Sequence, residues 1–142
     1  MDKLVIQKYR QLLREGFAYA GKLENPDVFI DSIGEKIQVC GSIGRAYMHI
    51  YIFIKDGIIE KIRYLCTCDP VANVVIEILC SLAEGKHYTE VMKLTPEDFS
   101  RVLGSESEEF LKRAAATIEL VSRGLQRYDH SLTQSQPSAQ NH

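Results

Sequence analysis

A pair of cysteines separated by one residue is the part of this sequence best suited to do chemistry. Cys66 and Cys68 form a C-x-C, and on a strand two such side chains point to the same face, about 6.5–7 Å apart. Thiolates at that spacing can share a metal ion or a cluster when their side chains converge. With Cys40 on a neighbouring predicted strand and His49 across a predicted hairpin, a mixed thiolate and imidazole site is one interpretation, although the expected role of His49 is that of a half-buried histidine on an aromatic strand face. The alternative is that these cysteines are small apolar core residues.

Asp69 directly follows the cysteine pair and has two interpretations. It is a good N-cap for a helix that begins at Pro70, a role worth about 1 kcal/mol. Its carboxylate can also serve as an oxygen ligand for iron. Cys80 lies on an apolar stripe of the same helix, which predicts a core residue.

Two reactive uses of the thiols stay open. A nucleophilic cysteine near a helix start is one, although the sequence offers no general base beyond His49. Thiol–disulfide exchange between Cys66 and Cys68 is the other, although C-x-x-C is the commoner redox spacing.

The composition narrows the class of protein. A chain of 142 residues with a net charge of −2 suits one compact domain and gives no general attraction to nucleic acid. No apolar run approaches the roughly 20 residues that a bilayer span needs, and we expect no signal peptide before the first helix. We therefore expect a cytoplasmic protein without a membrane role, in a reducing compartment where thiols stay free.

The first half of the chain predicts one helix and a small sheet. Apolar residues at helical spacing predict a helix over residues 1–22, and Asn25-Pro26 ends it. Residues 27–34 indicate a loop or weak strand, and residues 36–40 alternate as a short strand. Asp56-Gly57 predicts a two-residue hairpin turn that pairs Lys55 with Ile58, which by counting back pairs His49 with Tyr64 and Tyr47 with Cys66.

The second half predicts three helices. They run from Asp69 to Gly85, from Thr95 to Leu103, and from Ser105 to about Tyr128. Polar residues 129–142 predict a disordered tail. Consecutive strands followed by consecutive helices predict an α+β fold, a small antiparallel three-stranded sheet with helices packed on it, in one domain spanning residues 1–128.

Four local strings in that order resemble the IscU/NifU-type iron–sulfur cluster assembly scaffolds. They are ENP (24–26), DGIIEKIRY (56–64), CDPVANVVIEILCSLAEGK (68–86) and LTPEDF (94–99). The resemblance spans residues 24–128, and its most specific part is the join from strand to helix that ends in EGK.

The resemblance implies three cysteine ligands, and this chain departs from that set. Ile43-Gly44-Arg45 stands where the family has Cys-Gly-Asp, and Cys40 lies three residues earlier. Asp69 stands at the second cysteine, with Cys68 one residue before it. Residues 109–111, near the third, contain no cysteine. The family's LPPVK segment for chaperone recognition is replaced by VLGSESEEF, so we do not expect that chaperone to bind.

By resemblance, the predicted function is a scaffold-like protein of iron–sulfur cluster assembly, not an enzyme. Cys40, Cys66 and Cys68 would hold iron or a labile cluster, or zinc in its place, with Asp69 as a fourth ligand. The implied partners are a cysteine desulfurase and an acceptor apo-protein. The alternative is a degenerate, cluster-free interaction module of the same fold that binds assembly partners, an interpretation that the missing third cysteine favours.

Overall fold

The computed structural model describes residues 2–40 and 46–135. Its elements are α1 (Lys3–Glu15), β1 (Val28–Asp31), α2 (Ser32–Glu35), β2 (Met48–Lys55), β3 (Ile58–Cys66), α3 (Pro70–Ala83), α4 (Tyr88–Val91), α5 (Pro96–Leu103) and α6 (Glu108–Ser135). The three strands form one antiparallel sheet in the order β1-β2-β3, which confirms the predicted α+β class. Within the described residues, no helix is long and apolar enough to cross a membrane.

The helices cover one face of the sheet. α3 packs on β3 and α6 packs on β1, and both contact each other. Close contact between α6 and β1 depends on Gly124, because a Cβ at that position would lie 2.4 Å from Cγ1 of Ile30. The face beneath these helices is the core, built from fully buried aliphatic side chains that include Ile30, Met48, Ile50, Ile52, Ile59 and Ile62.

The β2–β3 hairpin has the predicted turn but not the predicted register. Lys55 pairs with Ile58, as the Asp56-Gly57 turn requires. Beyond it the register shifts, because Ile54 pairs with Ile59 while Phe53 pairs with Lys61. Glu60 is therefore an extra residue on β3, a β-bulge. As a result Cys66 lies opposite Met48, not Tyr47, and His49 lies opposite Leu65, not Tyr64.

Three other element predictions are wrong. The first strand is Val28–Asp31, and residues 37–40 are irregular, because Lys36 adopts a left-handed conformation (φ 59°) that ends α2 and turns the chain. α1 stops at Glu15 instead of residue 22, because Gly16 follows it with a non-helical φ of 102°. α6 begins at Glu108 and extends to Ser135, so the first seven residues of the predicted tail are helical; residues 136–142 lie outside the described part.

A buried carboxylate fixes the free edge of β3. The backbone of Tyr64 pairs with the segment after α1, through Tyr64 N to Tyr19 O (3.1 Å) and Gly21 N to Tyr64 O (2.8 Å). Glu77 on α3 accepts hydrogen bonds from the Tyr19 amide (3.2 Å) and the Tyr64 hydroxyl (2.9 Å). One side chain of α3 therefore holds both β3 and its edge segment, just before β3 reaches Cys66.

Candidate functional site

The three predicted cysteine ligands, Cys40, Cys66 and Cys68, lie at the end of the sheet away from the hairpin turn. Cys66 is the last residue of β3, and α3 begins four residues later. The carbonyl oxygen of Tyr47 accepts hydrogen bonds from the Cys40 thiol (3.2 Å) and the Thr67 amide (3.0 Å). Because both donors reach the same oxygen, Cys40 lies against the segment that joins Cys66 to Cys68.

The structure links Cys66 and Cys68 by a disulfide bond. Their Cα atoms are 5.3 Å apart, closer than the predicted 6.5–7 Å, because the chain leaves the strand after Cys66 and the strand spacing no longer applies. Both side chains are half-buried. The expectation that all thiols are free is thus wrong for this pair, since a reducing compartment was inferred from general composition and not from these residues.

The other two cysteines are buried thiols. Cys40 is 2% exposed, and burial raises its pKa to about 11, with the Asp69 carboxylate adding to the shift and Arg113 opposing it. Cys80 is fully buried in the helical core, and burial raises its pKa well above the ordinary value. Cys80 is therefore a core residue, as predicted, and Cys40 carries its proton at neutral pH.

Asp69 is confirmed as the N-cap of α3, because its side chain accepts a hydrogen bond from the Ala72 amide at 2.9 Å. It also receives both guanidinium nitrogens of Arg113, at 3.0 and 2.7 Å. Burial alone would raise the pKa of Asp69, but the hydrogen bonds from Arg113 and Ala72 and the Arg113 charge lower it below the ordinary value. Its role as a metal ligand stays a prediction.

Arg113 on α6 is the site residue that the sequence interpretation missed. Its side chain is 14% exposed and spans from α6 to the start of α3, with a longer contact to the Val39 carbonyl at 3.5 Å. The sequence offers one signal, Glu109 four residues before it, which forms an i, i+4 pair with Arg113 at 3.7 Å. That signal predicts an exposed ion pair, not the bidentate contact with Asp69.

His49 does not join the cysteines, which excludes the mixed thiolate and imidazole site in this conformation and leaves His49 as the half-buried histidine that the sequence favoured. The Glu60 bulge places Cys66 on the core face of the sheet, opposite Met48, while His49 lies on the other face. There its Nε2 is 3.4 Å from Asp31, and its ring contacts those of Phe29 and Tyr47, with centroids 5.1 and 4.6 Å away. Cys40 lies in an irregular segment and not on a strand.

Each candidate ligand atom at this end of the sheet already has a bonding partner in this conformation. In residues 2–40 and 46–135, no three or more His, Cys, Asp or Glu side chains are arranged to hold a metal ion. Two sulfurs are bonded together, the Cys40 thiol donates to a carbonyl, and Asp69 is paired with Arg113. The described arrangement therefore does not fit iron as it stands. The predicted Ile43–Arg45 departure lies outside the described residues.

Comparison with solved structures establishes the fold. The chain is similar to the N-terminal part of a nitrogen-fixing NifU-like protein from Brucella abortus, with a TM-score of 0.60 and 11% identity over 91% of this chain and 94% of that one. It also matches a putative iron–sulfur cluster assembly scaffold protein for the SUF system from Fervidobacterium islandicum AW-1, with a TM-score of 0.49 and 15% identity over 90% and 85% of the chains. No protein-family model matches the sequence, and no curated protein does.

The predicted resemblance is confirmed at the level of architecture, so the chain has a NifU/IscU-like α+β fold. At 11% identity this likeness shows the fold alone. Function rests on the residues that the fold brings together.

Proposed function

We propose that this protein is a scaffold-like component of iron–sulfur cluster assembly, which receives iron or a labile cluster as cargo on Cys66 and Cys68. The observation that carries the proposal is the pair of half-buried cysteines at the β3–α3 junction of a NifU/IscU-like fold. The role itself is the one that the resemblance of the four sequence strings to IscU/NifU-type scaffolds implies.

Reduction of the disulfide supplies the ligands in this proposal. It frees two thiolates, the soft donors that iron and sulfide clusters require. Cys40 is the natural third donor, because its sulfur lies against the same segment and metal binding displaces a thiol proton. Asp69 joins only if Arg113 releases it. So few ligands let an acceptor's thiolates compete for the cargo.

The partners in this proposal are a cysteine desulfurase, as the source of sulfur, and an acceptor apo-protein. The protein itself catalyses no turnover, and it works in the cytoplasm, where reduced thiols persist.

An anaerobic reconstitution tests the proposal. The full chain is reduced, then incubated with ferrous iron and sulfide, and its absorption spectrum is recorded after desalting. We expect bands that the Cys66→Ser/Cys68→Ser variant lacks and that Cys80→Ser retains, since Cys80 is enclosed in the core. A reduced wild-type protein that stays colourless would overturn the proposal. A parallel incubation with zinc shows whether the thiolates prefer that ion.

One observation favours the cluster-free interaction module as a second candidate. The residue at the family's second cysteine is Asp69, and its carboxylate is neutralised by Arg113. This position therefore needs no iron to satisfy its charge. In this alternative, the protein binds a cysteine desulfurase equally well with or without Cys66 and Cys68, and chelators leave its stability unchanged. Binding that requires both cysteines would exclude it.

A further inference from the structure

We propose that Cys66 and Cys68 form a reversible redox pair that undergoes thiol–disulfide exchange with external dithiols, without any need for iron. This activity goes beyond the scaffold role, which uses the same sulfurs only in their reduced form. It is carried by the disulfide itself, by its place in the fold and by the burial of the other two cysteines.

The disulfide is not needed to hold its own ends in place. It closes a ring of only three residues, and that ring is already fixed by its neighbours. Cys66 is paired with Met48 in the sheet, and Thr67 makes two hydrogen bonds to the backbone of Tyr47, at 3.0 and 2.8 Å. Asp69 then caps α3. Opening the bond therefore leaves the local fold intact, which is a requirement for repeated exchange.

Exchange is confined to this pair. Cys66 and Cys68 are half-buried residues, so an incoming thiolate has partial access to the bond between them, whereas Cys40 and Cys80 are 2% and 0% exposed. Cys40 is the nearer of these two thiols in the contacts described above, and its thiol is held as a hydrogen-bond donor to the Tyr47 carbonyl. An external thiol reagent therefore reaches the pair and not Cys40.

The exchange balances with a dithiol as reductant. A thiolate of the external dithiol attacks one sulfur of the Cys66–Cys68 bond, which forms a mixed disulfide and expels the other cysteine as a thiolate. The second external thiol, as its thiolate, then attacks the mixed disulfide at the external sulfur. The external molecule leaves oxidised as a disulfide, and Cys66 and Cys68 remain as two thiols once the expelled sulfurs take up the protons released.

The same sulfurs would bind cargo, so the two states exclude each other. This consequence rests on the proposed scaffold function: an oxidised pair has no thiolate to offer iron, and a loaded pair has no thiols to oxidise. Oxidising conditions would thus prevent iron from binding to Cys66 and Cys68.

The test uses metal-free full-length protein. Samples are equilibrated anaerobically with graded mixtures of reduced and oxidised dithiothreitol, quenched in acid, alkylated and read by mass spectrometry of peptides. We expect a single reversible transition in the Cys66–Cys68 peptide, with Cys40 and Cys80 remaining free thiols throughout. Cys80→Ala is expected to leave the midpoint unchanged, because Cys80 is enclosed in the core away from the pair. A pair that exchanges only in denaturant, or that never forms a disulfide in folded protein, would overturn the proposal, as would disulfides that include Cys40.

Single variants trap the exchange intermediate. Cys66→Ser and Cys68→Ser each leave one accessible thiol, and we expect glutathione disulfide to attach one glutathione to that residue in the folded protein. Cys66→Ser/Cys68→Ser is expected to take up none, and uptake by the double variant would contradict the assignment. Because these experiments contain no iron, their failure leaves the reconstitution result intact, and colourless reconstitution leaves the exchange result intact.

Discussion

The two ends of the β2–β3 hairpin are held by different kinds of interaction. At the turn, backbone hydrogen bonds join the hairpin to the segment after α3, with Gly85 N to Ile59 O at 2.8 Å, Ile59 N to Lys86 O at 2.8 Å and Tyr88 N to Gly57 O at 2.9 Å. The ring of His87 lies directly over Gly57. No cysteine takes part in these contacts. The geometry of the turn end is set by main-chain hydrogen bonds.

At the opposite end, side chains hold the elements together. The Asp69–Arg113 ion pair joins α3 to α6, and a disulfide closes the short segment before α3. Such contacts can be exchanged without rebuilding the backbone. The comparison teaches that main-chain bonds tie the turn end to the segment after α3, whereas the thiol end adds replaceable side-chain interactions to its backbone pairing.

The largest expected effect is at the turn. Gly57 has φ 79°, and a Cβ there would lie 2.3 Å from Nε2 of His87, so Gly57→Ala is expected to lower the free energy of unfolding by about 3 kcal/mol. Gly85→Ala is the matched control, because Gly85 has φ 87° but open space around it, and we expect a loss of about 1 kcal/mol. Urea unfolding measures both, and equal losses would show that His87 yields.

The ion pair at the thiol end comes next. Arg113→Ala leaves a half-buried carboxylate with only the Ala72 amide as partner, and we expect a loss of about 2 kcal/mol in the free energy of unfolding. Arg101→Ala is the control, since its side chain is 71% exposed in its pair with Asp98, and we expect less than about 0.5 kcal/mol. Similar losses in the two variants would contradict a special role for Arg113.

The contribution of Arg113 should depend on pH in one direction. Because the folded pKa of Asp69 is lower than its ordinary value of 3.8, the ion pair stabilises the fold above that pH, and the contribution is lost as the pH falls through the folded pKa. The difference in unfolding free energy between wild type and Arg113→Ala should be constant above about pH 5 and shrink below pH 4. A difference that grows in acid would contradict this assignment.

The smallest expected effect is that of the disulfide. A ring of three residues restricts the unfolded chain little, so reduction should cost about 1 kcal/mol in the free energy of unfolding. Oxidised and reduced wild type, with Cys66→Ser/Cys68→Ser as the control, are compared by urea unfolding at neutral pH. A loss as large as that of Gly57→Ala would mean that the bond is structural, and the contrast between the two ends would fail.

Local signals predicted the parts of the fold that depend on one or two residues. Asp56-Gly57 gave the correct turn because few residue types tolerate positive φ there, and both residues have it, at 52° and 79°. Asp69-Pro70 likewise gave the correct helix start. The IscU/NifU resemblance, built on four short strings, gave the correct architecture.

The candidate site was harder to predict because it depends on pairings between distant residues. The predicted strand register is correct at the turn but wrong beyond Glu60, because no local signal distinguishes a bulged glutamate from a paired one. The contact between Asp69 and Arg113 joins residues 44 positions apart. Cys40, Cys66 and Cys68 lie at the same end of the sheet, but their state, two bonded and one a buried thiol, follows from burial and closeness that only the fold supplies.

The extra residue at Glu60 decides which face of the sheet carries the Cys66 side chain. Side chains alternate along a strand, so removing that one residue would invert everything from Lys61 to the end of β3. The sulfur of Cys66 would then emerge beside the rings of Tyr47 and His49 instead of facing the core. A deletion far from any thiol would thus move the thiol to the opposite surface, with every cysteine still present.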